Sequence, residues 1–387
     1  MKKGWQIKRL GDVCEIIKGR KPALKATSSN GDLPYLVAKV MRGSKEAEYA
    51  AVKDRNSITV EESETIIICD GSNSGEVFTG FRGILSSTMG KIAKKTEIDD
   101  DYLRAFLAST FDVFNGAKTG AAIPHLDKEA MYQLQFPVPP LAEQQRIVGL
   151  LDEAFEGLAT AKANAEKNRQ NARALFESHL QSVFADQWQT GELVTLTDLA
   201  TDITDGDHLP PPKSPTGVPF ITIGNIVKET REIDFSDTFM VPRAYFDALK
   251  AYKKPRQGDV LYTVTGSFGI PVIVRDDTEF CFQRHIGLVR PKPETISSWL
   301  YYLLMSPQLL KQANEGATGT AQKTVSLKLL RSFVVPKVSP KQQKQAVEKL
   351  DALTEETQRL ARLYERKLAA LEALKKSLLH QAFTGKL

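Results

Sequence analysis

The chain has 387 residues, enough for two or more domains that each bury a core, and its composition is 42% hydrophobic and 26% charged. A net charge of +5 allows contact with an anionic polymer without requiring it, because a local patch matters more than the sum. Cys14, Cys69 and Cys281 lie far apart without a CxxC, which excludes a zinc knuckle and a disulfide framework and fits reduced thiols. The N-terminal MKKGWQIKRLGDV lacks the apolar core of a signal peptide, and no apolar run approaches the ~18–20 residues that span a bilayer, so a cytoplasmic protein without a membrane partner is expected.

Residues 1–140 form a mixed block of short runs rich in Val, Ile and Phe, broken by Gly, Pro and Asn. Strands are predicted at 34–40, 65–69 and 91–93, and helical periodicity runs over 102–114. Between them lie polar, glycine-bearing loops with basic neighbours: KGRKP (18–22), CDGSNSG (69–75), LSSTMGK (85–91) and GAKTGAA (116–122). The block ends in PVPPLAEQQRIVGLLDEAF (137–155), a proline turn that opens a helix predicted over 141–188. That segment has the Ala, Leu, Glu, Lys, Gln and Arg content of a long helix. Leu151, Ala154, Leu158, Ala161, Ala165, Asn168, Ala172, Leu175 and His179 follow an alternating three-four step, the 3.5-residue period of a coiled-coil seam.

Residues 189–337 repeat the mixed composition, with strands predicted at 220–223, 260–264 and 271–274 and helical periodicity over 299–313. Their loops are ITDGDHLPPPK (203–213), TVTGSFG (263–269), FQRHIG (282–287) and GATGTAQKT (316–324). The blocks also echo each other in GDLPYLVAKV (31–40) against TGVPFITIGNI (216–226), and in DYLRAFLAST (101–110) against SWLYYLLMSP (298–307). A second proline turn, VPKVSPKQQKQAVEKLDAL (335–353), launches a second predicted helix over 338–387. Leu151 and Leu350, like Phe184 and Phe383, are 199 residues apart, so the two helical copies stay in step. The second seam reads Leu350, Leu353, Thr357, Leu360, Tyr364, Lys367, Leu371, Leu374 and Leu378. The first seam is small in its middle and the second bulky, which favours antiparallel pairing about Asn168 and Lys367; two independent amphipathic helices are the alternative.

No catalytic constellation is visible. GAKTG has the wrong spacing for a phosphate loop, and VPPL and LPPPK lack the Asn/Asp and the aromatic of a base-flipping methyltransferase turn. The five histidines are not clustered at metal-ligand spacing, and Glu365-x-Lys367 sits on a helix as a solvated charge face. The paired loops instead offer small residues for close approach and side chains that bond phosphates and base edges. Arg20, Lys21, Lys118, Lys213, Arg284 and Lys323 are candidate phosphate or base contacts; Asn73, Ser87, Asp207, His208, Thr265, Ser267 and Gln322 are expected nearer base edges. Aromatic interleaving for single strands is not evident, so a duplex is the expected ligand. A coiled-coil scaffold binding proteins, or a diverged stand-alone DNA-modifying enzyme, are the other readings.

PVPPLAEQQRIV (137–148), LQSVFADQ (180–187), LLHQAFTGKL (378–387) and DGDH (205–208) together resemble the DNA-specificity subunit of type I restriction–modification enzymes, over the whole chain. The resemblance implies an α+β protein: two mixed target recognition domains, each followed by a long spacer helix, the helices paired as an antiparallel coiled coil. It implies a non-catalytic subunit that reads a bipartite duplex, with the 41 residues from Gln144 to Phe184, about 60 Å of helix, setting the gap between half-sites. It also implies two methyltransferase subunits and restriction (translocase) subunits as partners, with S-adenosylmethionine, ATP and Mg belonging to them and no cofactor or metal in this chain. Lys-Gln-Gln at 341–343 departs from the family pattern.

Overall fold

The Ile-Ile-Ile run of the strand Ile66–Ile68 is buried along its whole length, and its side chains alternate between two cores. Ile67 joins a core with Tyr102, Leu103, Phe106 and Phe136, whereas Ile66 and Ile68 join one with Leu36, Leu85 and Met89. A strand covered on both faces reads as a continuous apolar run rather than an alternating one.

That strand belongs to a computed structural model that describes residues 4–116, 124–319 and 322–387. The chain divides into two compact units, Met1–Glu166 with Arg366–Leu387, and Lys167–Glu365. In the first unit, Cys14–Lys18, Met89–Lys94, Ile66–Ile68 and Val77–Phe78 form one antiparallel sheet in that order. A second sheet runs Tyr49–Ala51, Asp32–Leu36, Gly83–Leu85, Thr59–Val60, with Asp32–Leu36 and Gly83–Leu85 parallel. A two-stranded ribbon of Gln6–Arg9 and Gln135–Val138 ties the start of the block to its end.

The second unit repeats this plan. Its first sheet runs Ala200–Asp205, Ile286–Pro291, Val260–Thr263, Pro271–Ile273, and its second runs Phe239–Val241, Val218–Ile221, Cys281–Phe282 with the last two parallel. The closing ribbon pairs Glu192–Thr195 with Val334–Lys337. The alternation recurs as well: Val260 and Tyr262 face the core that holds Trp299, and Leu261 faces the core that holds Phe280.

Three predicted elements are corrected. The strand expected over 34–40 ends at Leu36, and a helical turn Ala38–Met41 follows. The helix expected over 102–114 is two, Asp100–Ser109 and Phe111–Gly116, and the Thr110 hydroxyl between them bonds the carbonyls of Phe106 and Leu107. The helix expected over 299–313 is also two, Ser297–Leu304 and Pro307–Gly316. Ser306 caps the second and Pro307 takes its first turn, where a missing N–H costs nothing.

The first long helix is Leu141–Thr190 and the second Pro340–Thr384. In the first unit they run antiparallel: Lys162 Nζ meets Glu372 Oε1 at 2.7 Å, and Arg146 reaches the carbonyl of Leu387 at 3.0 Å. Ile147 and Leu151 share a core there with Leu379 and Ala382, and in the second unit Leu180 and Phe184 share one with Ala346 and Leu350.

The seam is shifted from the predicted one. Leu151, Ala165 and Leu350 are buried, and Leu158, Leu360 and Tyr364 half-buried. Asn168, Leu175, Lys367 and Leu374 are exposed instead. The covered positions step from Ala165 to Arg169, Ala172, Phe176 and Leu180, and on the second helix from Tyr364 to Leu368 and Leu371. Eight steps from Leu151 to Leu180 cover 29 residues, or 3.6 per step. That is the ordinary α-helical repeat; a strict 3.5 repeat drifts off the covered face by about 20° per heptad unless the helices supercoil.

Candidate nucleic-acid interface

The order of strands in each first sheet puts one set of loops on one edge. In the first unit, Cys14–Lys18 ends where Met89–Lys94 begins and where Ile66–Ile68 ends, because all neighbours are antiparallel. Residues 18–22, 69–75 and 85–89 therefore converge. Gly19 N–H bonds the Met89 carbonyl at 2.8 Å, and Asp70 N–H bonds the Thr88 carbonyl at 3.1 Å. Pro124 and His125 join this edge, through Gly71 N–H to the Pro124 carbonyl at 2.8 Å and the Asp70–His125 bridge.

Asp70 lies at the centre of this edge. Its carboxylate takes Lys18 Nζ at 2.7 Å and His125 Nδ1 at 2.8 Å. Burial works to raise its pKa, but the hydrogen bonds from Lys18 and His125 outweigh it and hold the carboxyl below the usual range. Neither Lys18 nor His125 was singled out from sequence, although both lie in or beside the glycine-bearing loops. Arg20 and Lys21 are exposed, and neither makes an ion pair among the described residues. Ser87 is exposed beside the Tyr35 hydroxyl, and half-buried Asn73 gives its amide to Glu76 at 3.2 Å. Lys118 lies outside the described residues.

The second unit gathers the corresponding loops on the corresponding edge. Asp207 N–H bonds the Phe282 carbonyl at 2.9 Å, Arg284 N–H bonds the Asp207 carbonyl at 3.1 Å, and Gly266 N–H bonds the Lys323 carbonyl at 3.1 Å. Glycine is required where these loops cross the sheet: a Cβ on Gly206 would land on the Phe282 carbonyl, and one on Gly19 would land on the Ser86 carbonyl. Side-chain polarity differs between the units. Asp205 holds His208 Nε2 at 2.8 Å, while Asp207 accepts the Tyr245 hydroxyl at 2.7 Å and has Lys253 Nζ at 3.9 Å. Burial, and then the Asp207 bond, push the Tyr245 phenol up.

Arg284, Gln322, Lys323, Ser267 and His208 are exposed on this edge, and Lys213 stacks over the Phe239 ring at 5.0 Å. Thr265 is not available: it is buried, and its hydroxyl accepts from Thr324 at 3.5 Å across an isolated bridge. Asp207 is likewise engaged by protein groups rather than open to a base. Tyr245 and Lys253, which hold it, carry no local sequence signal because they lie 38 and 46 residues away.

Burial pushes the Cys14 and Cys281 thiols up to about 12 and Cys69 to about 11, so none is a nucleophile at neutral pH. Among the described residues no group of three or more His, Cys, Asp or Glu side chains could hold a metal ion, and no helix is long and apolar enough to cross a membrane.

Comparison with known proteins matches this layout. The chain is 27% identical over 404 residues to the type I restriction enzyme MjaVIII specificity subunit of Methanocaldococcus jannaschii, covering 99% of this chain and 93% of that one. It is 22% identical over 354 residues to the EcoBI specificity subunit of Escherichia coli, covering 84% and 73%. A chain solved in work on assembly and conformational transition of a type I restriction–modification system superposes with a TM-score of 0.78 at 20% identity, covering 100% of this chain and 99% of that one. The HsdS subunit of Thermoanaerobacter tengcongensis superposes at 0.55 with 19% identity, covering 100% and 98%. The family described as the type I restriction modification DNA specificity domain matches residues 2–168 and again 187–366, once for each mixed block and part of the long helix after it. This chain therefore belongs to the type I restriction–modification DNA specificity family.

Proposed function

We propose that the chain recognises a bipartite duplex target, one half through the loop edge of each unit, and that its long helices hold the methyltransferase and restriction subunits that carry out the chemistry. The observation that carries this reading is the duplicated edge: among the described residues, three corresponding loops meet at the same strand ends in both units, on different side chains. The same order of strands in the first sheet, carrying different chemistry, suits two different half-sites. The first edge offers Lys18, Arg20 and Lys21, whereas the second offers Asp205, His208, Arg284, Gln322 and Lys323. Cations there position a backbone, and His, Gln and Arg hydrogen-bond base edges. Helices of this length, at about 1.5 Å rise per residue, are of the order needed to set the distance between half-sites. S-adenosylmethionine, ATP and Mg would then belong to the partner subunits.

The test is an exchange of residues 189–337 for the same block of a relative, followed by mapping of the methylated motif in genomic DNA. One half of the motif changes if the reading holds. Change in both halves, or in neither, defeats the division of labour.

A further inference from the structure

The loop that follows the strand Ala200–Asp205 carries an apolar side chain held in water. Leu209 is 80% exposed, against 56% for Val113, which is next among the described large hydrophobic residues. Isolated exposed leucines are ordinary on a protein surface, so three features of its setting matter. The loop is fastened at both ends, by Asp207 N–H to the Phe282 carbonyl at 2.9 Å and by Ser214 N–H to the Met240 carbonyl at 2.9 Å. Pro210, Pro211 and Pro212 follow the leucine directly, fixing φ at three successive positions and keeping the chain extended. And the corresponding loop of the first unit does the opposite, turning its Leu24 back against the core of Tyr35, Ala50 and Ile84. The second loop thus holds its leucine outward where the first turns its own inward.

Its neighbours define what it would meet. His208 beside it is exposed, Lys213 closes the loop from above the Phe239 ring, and Arg284 bonds the loop backbone at Asp207. Hydrogen-bonding and cationic groups of this kind face phosphates and base edges. The apolar group that a duplex presents among its base edges is the C5-methyl of thymine, in the major groove.

We propose that Leu209 reads the C5-methyl group of a thymine in the half-site taken by the second unit. This rests on the duplex-recognition reading above. The contact would bury a methyl against a side chain on a loop whose backbone is already fastened at both ends, so little backbone freedom is lost on binding.

The experiment uses the chain assembled with its methyltransferase subunits and duplexes carrying the motif that this complex methylates. Each thymine of the motif, on either strand, is replaced in turn by deoxyuridine, which removes only the methyl. One replacement should weaken the wild-type complex about fourfold, the ~0.8 kcal/mol of one buried carbon converted at ~1.4 kcal/mol per tenfold. Leu209→Ala should bind the thymine duplex as weakly and be indifferent to that same replacement. A wild type indifferent to every replacement overturns the proposal, as does a Leu209→Ala variant that keeps the wild-type sensitivity. Equal weakening of Leu209→Ala on all duplexes would make the leucine a general apolar contact, or a wedge between base steps, and overturns it too. A complex that binds motif and unrelated duplex alike would instead defeat the recognition reading itself.

Discussion

The side-chain oxygen of Gln343 accepts the backbone N–H of Ile296 at 2.7 Å, while its amide donates to the carbonyls of Val338 and Glu294. Gln144 does the same in the first unit, accepting from Asp99 N–H at 2.9 Å and donating to the Pro139 carbonyl at 2.8 Å. Gln144, the first of its Gln-Gln pair, and Gln343, the second of its own and 199 residues on, therefore each staple the start of a long helix to a helix start in the same block. In the second copy Gln342 has another duty: with Ser339 it forms a capping box, accepting Ser339 N–H at 3.0 Å. Gln343→Leu should leave buried backbone groups unpaired and destabilise the protein by about 1–3 kcal/mol, read by denaturant unfolding. Gln342→Ala, at the helix surface, should cost about 1 kcal/mol or less.

Seam position can be read the same way. Ala165 is fully buried, so Ala165→Leu should overpack the helix face and cost roughly 1–3 kcal/mol. Leu175 and Leu374 are nearly half exposed, and alanine at either should stay within about 0.5 kcal/mol of wild type. Equal losses at all three sites in thermal unfolding would contradict the 3.6-residue seam.

Gly206→Ala should move the DGDH loop off its strand, because the new methyl meets a backbone carbonyl that cannot rotate away. The expected result is loss of duplex affinity in the assembled complex with the far-ultraviolet spectrum unchanged. Gly224→Ala, whose Cβ would meet only the Thr222 hydroxyl at ordinary contact distance, is the control.

Phosphate and base contacts separate by salt. Alanine at Arg20 or Lys21 should weaken cognate and unrelated duplex alike and lower the salt slope by about one. Alanine at Arg284 or His208 should cost ~1–3 kcal/mol on cognate duplex and relax one position of the motif. Variants at these four positions that bind as wild type at every salt concentration would remove those residues from the interface.

Asp70 predicts an acid dependence. Its folded carboxyl is held below the ordinary 3.8, so the stability it contributes is present above that value and is lost as pH falls through the folded one. Asp70→Asn should be less stable at neutral pH and lose less on acidification below about 4, in unfolding measured against pH. Parallel acid limbs for the two proteins would show that the Lys18 and His125 contacts contribute nothing.

Duplication, the long helices and the glycine-bearing loops are all legible in the sequence, because each rests on local information. A proline turn with its Gln-Gln pair, a proline-free Ala/Leu/Glu/Lys segment and a Gly-Ser-Asn cluster announce themselves within a few residues. The family resemblance drew on those same segments. Which of those loop residues remain free to touch a ligand was decided by tertiary structure. Thr265 is removed by a bridge from Thr324, 59 residues on, and Asp207 is engaged by Tyr245 and Lys253, whereas Asp70 is made central by Lys18 and His125. Seam register escaped the sequence for a related reason. Alanines, leucines and an asparagine fit a three-four step in more than one phase, and a difference of 0.1 residue per step shows only when the helix is laid against what covers it.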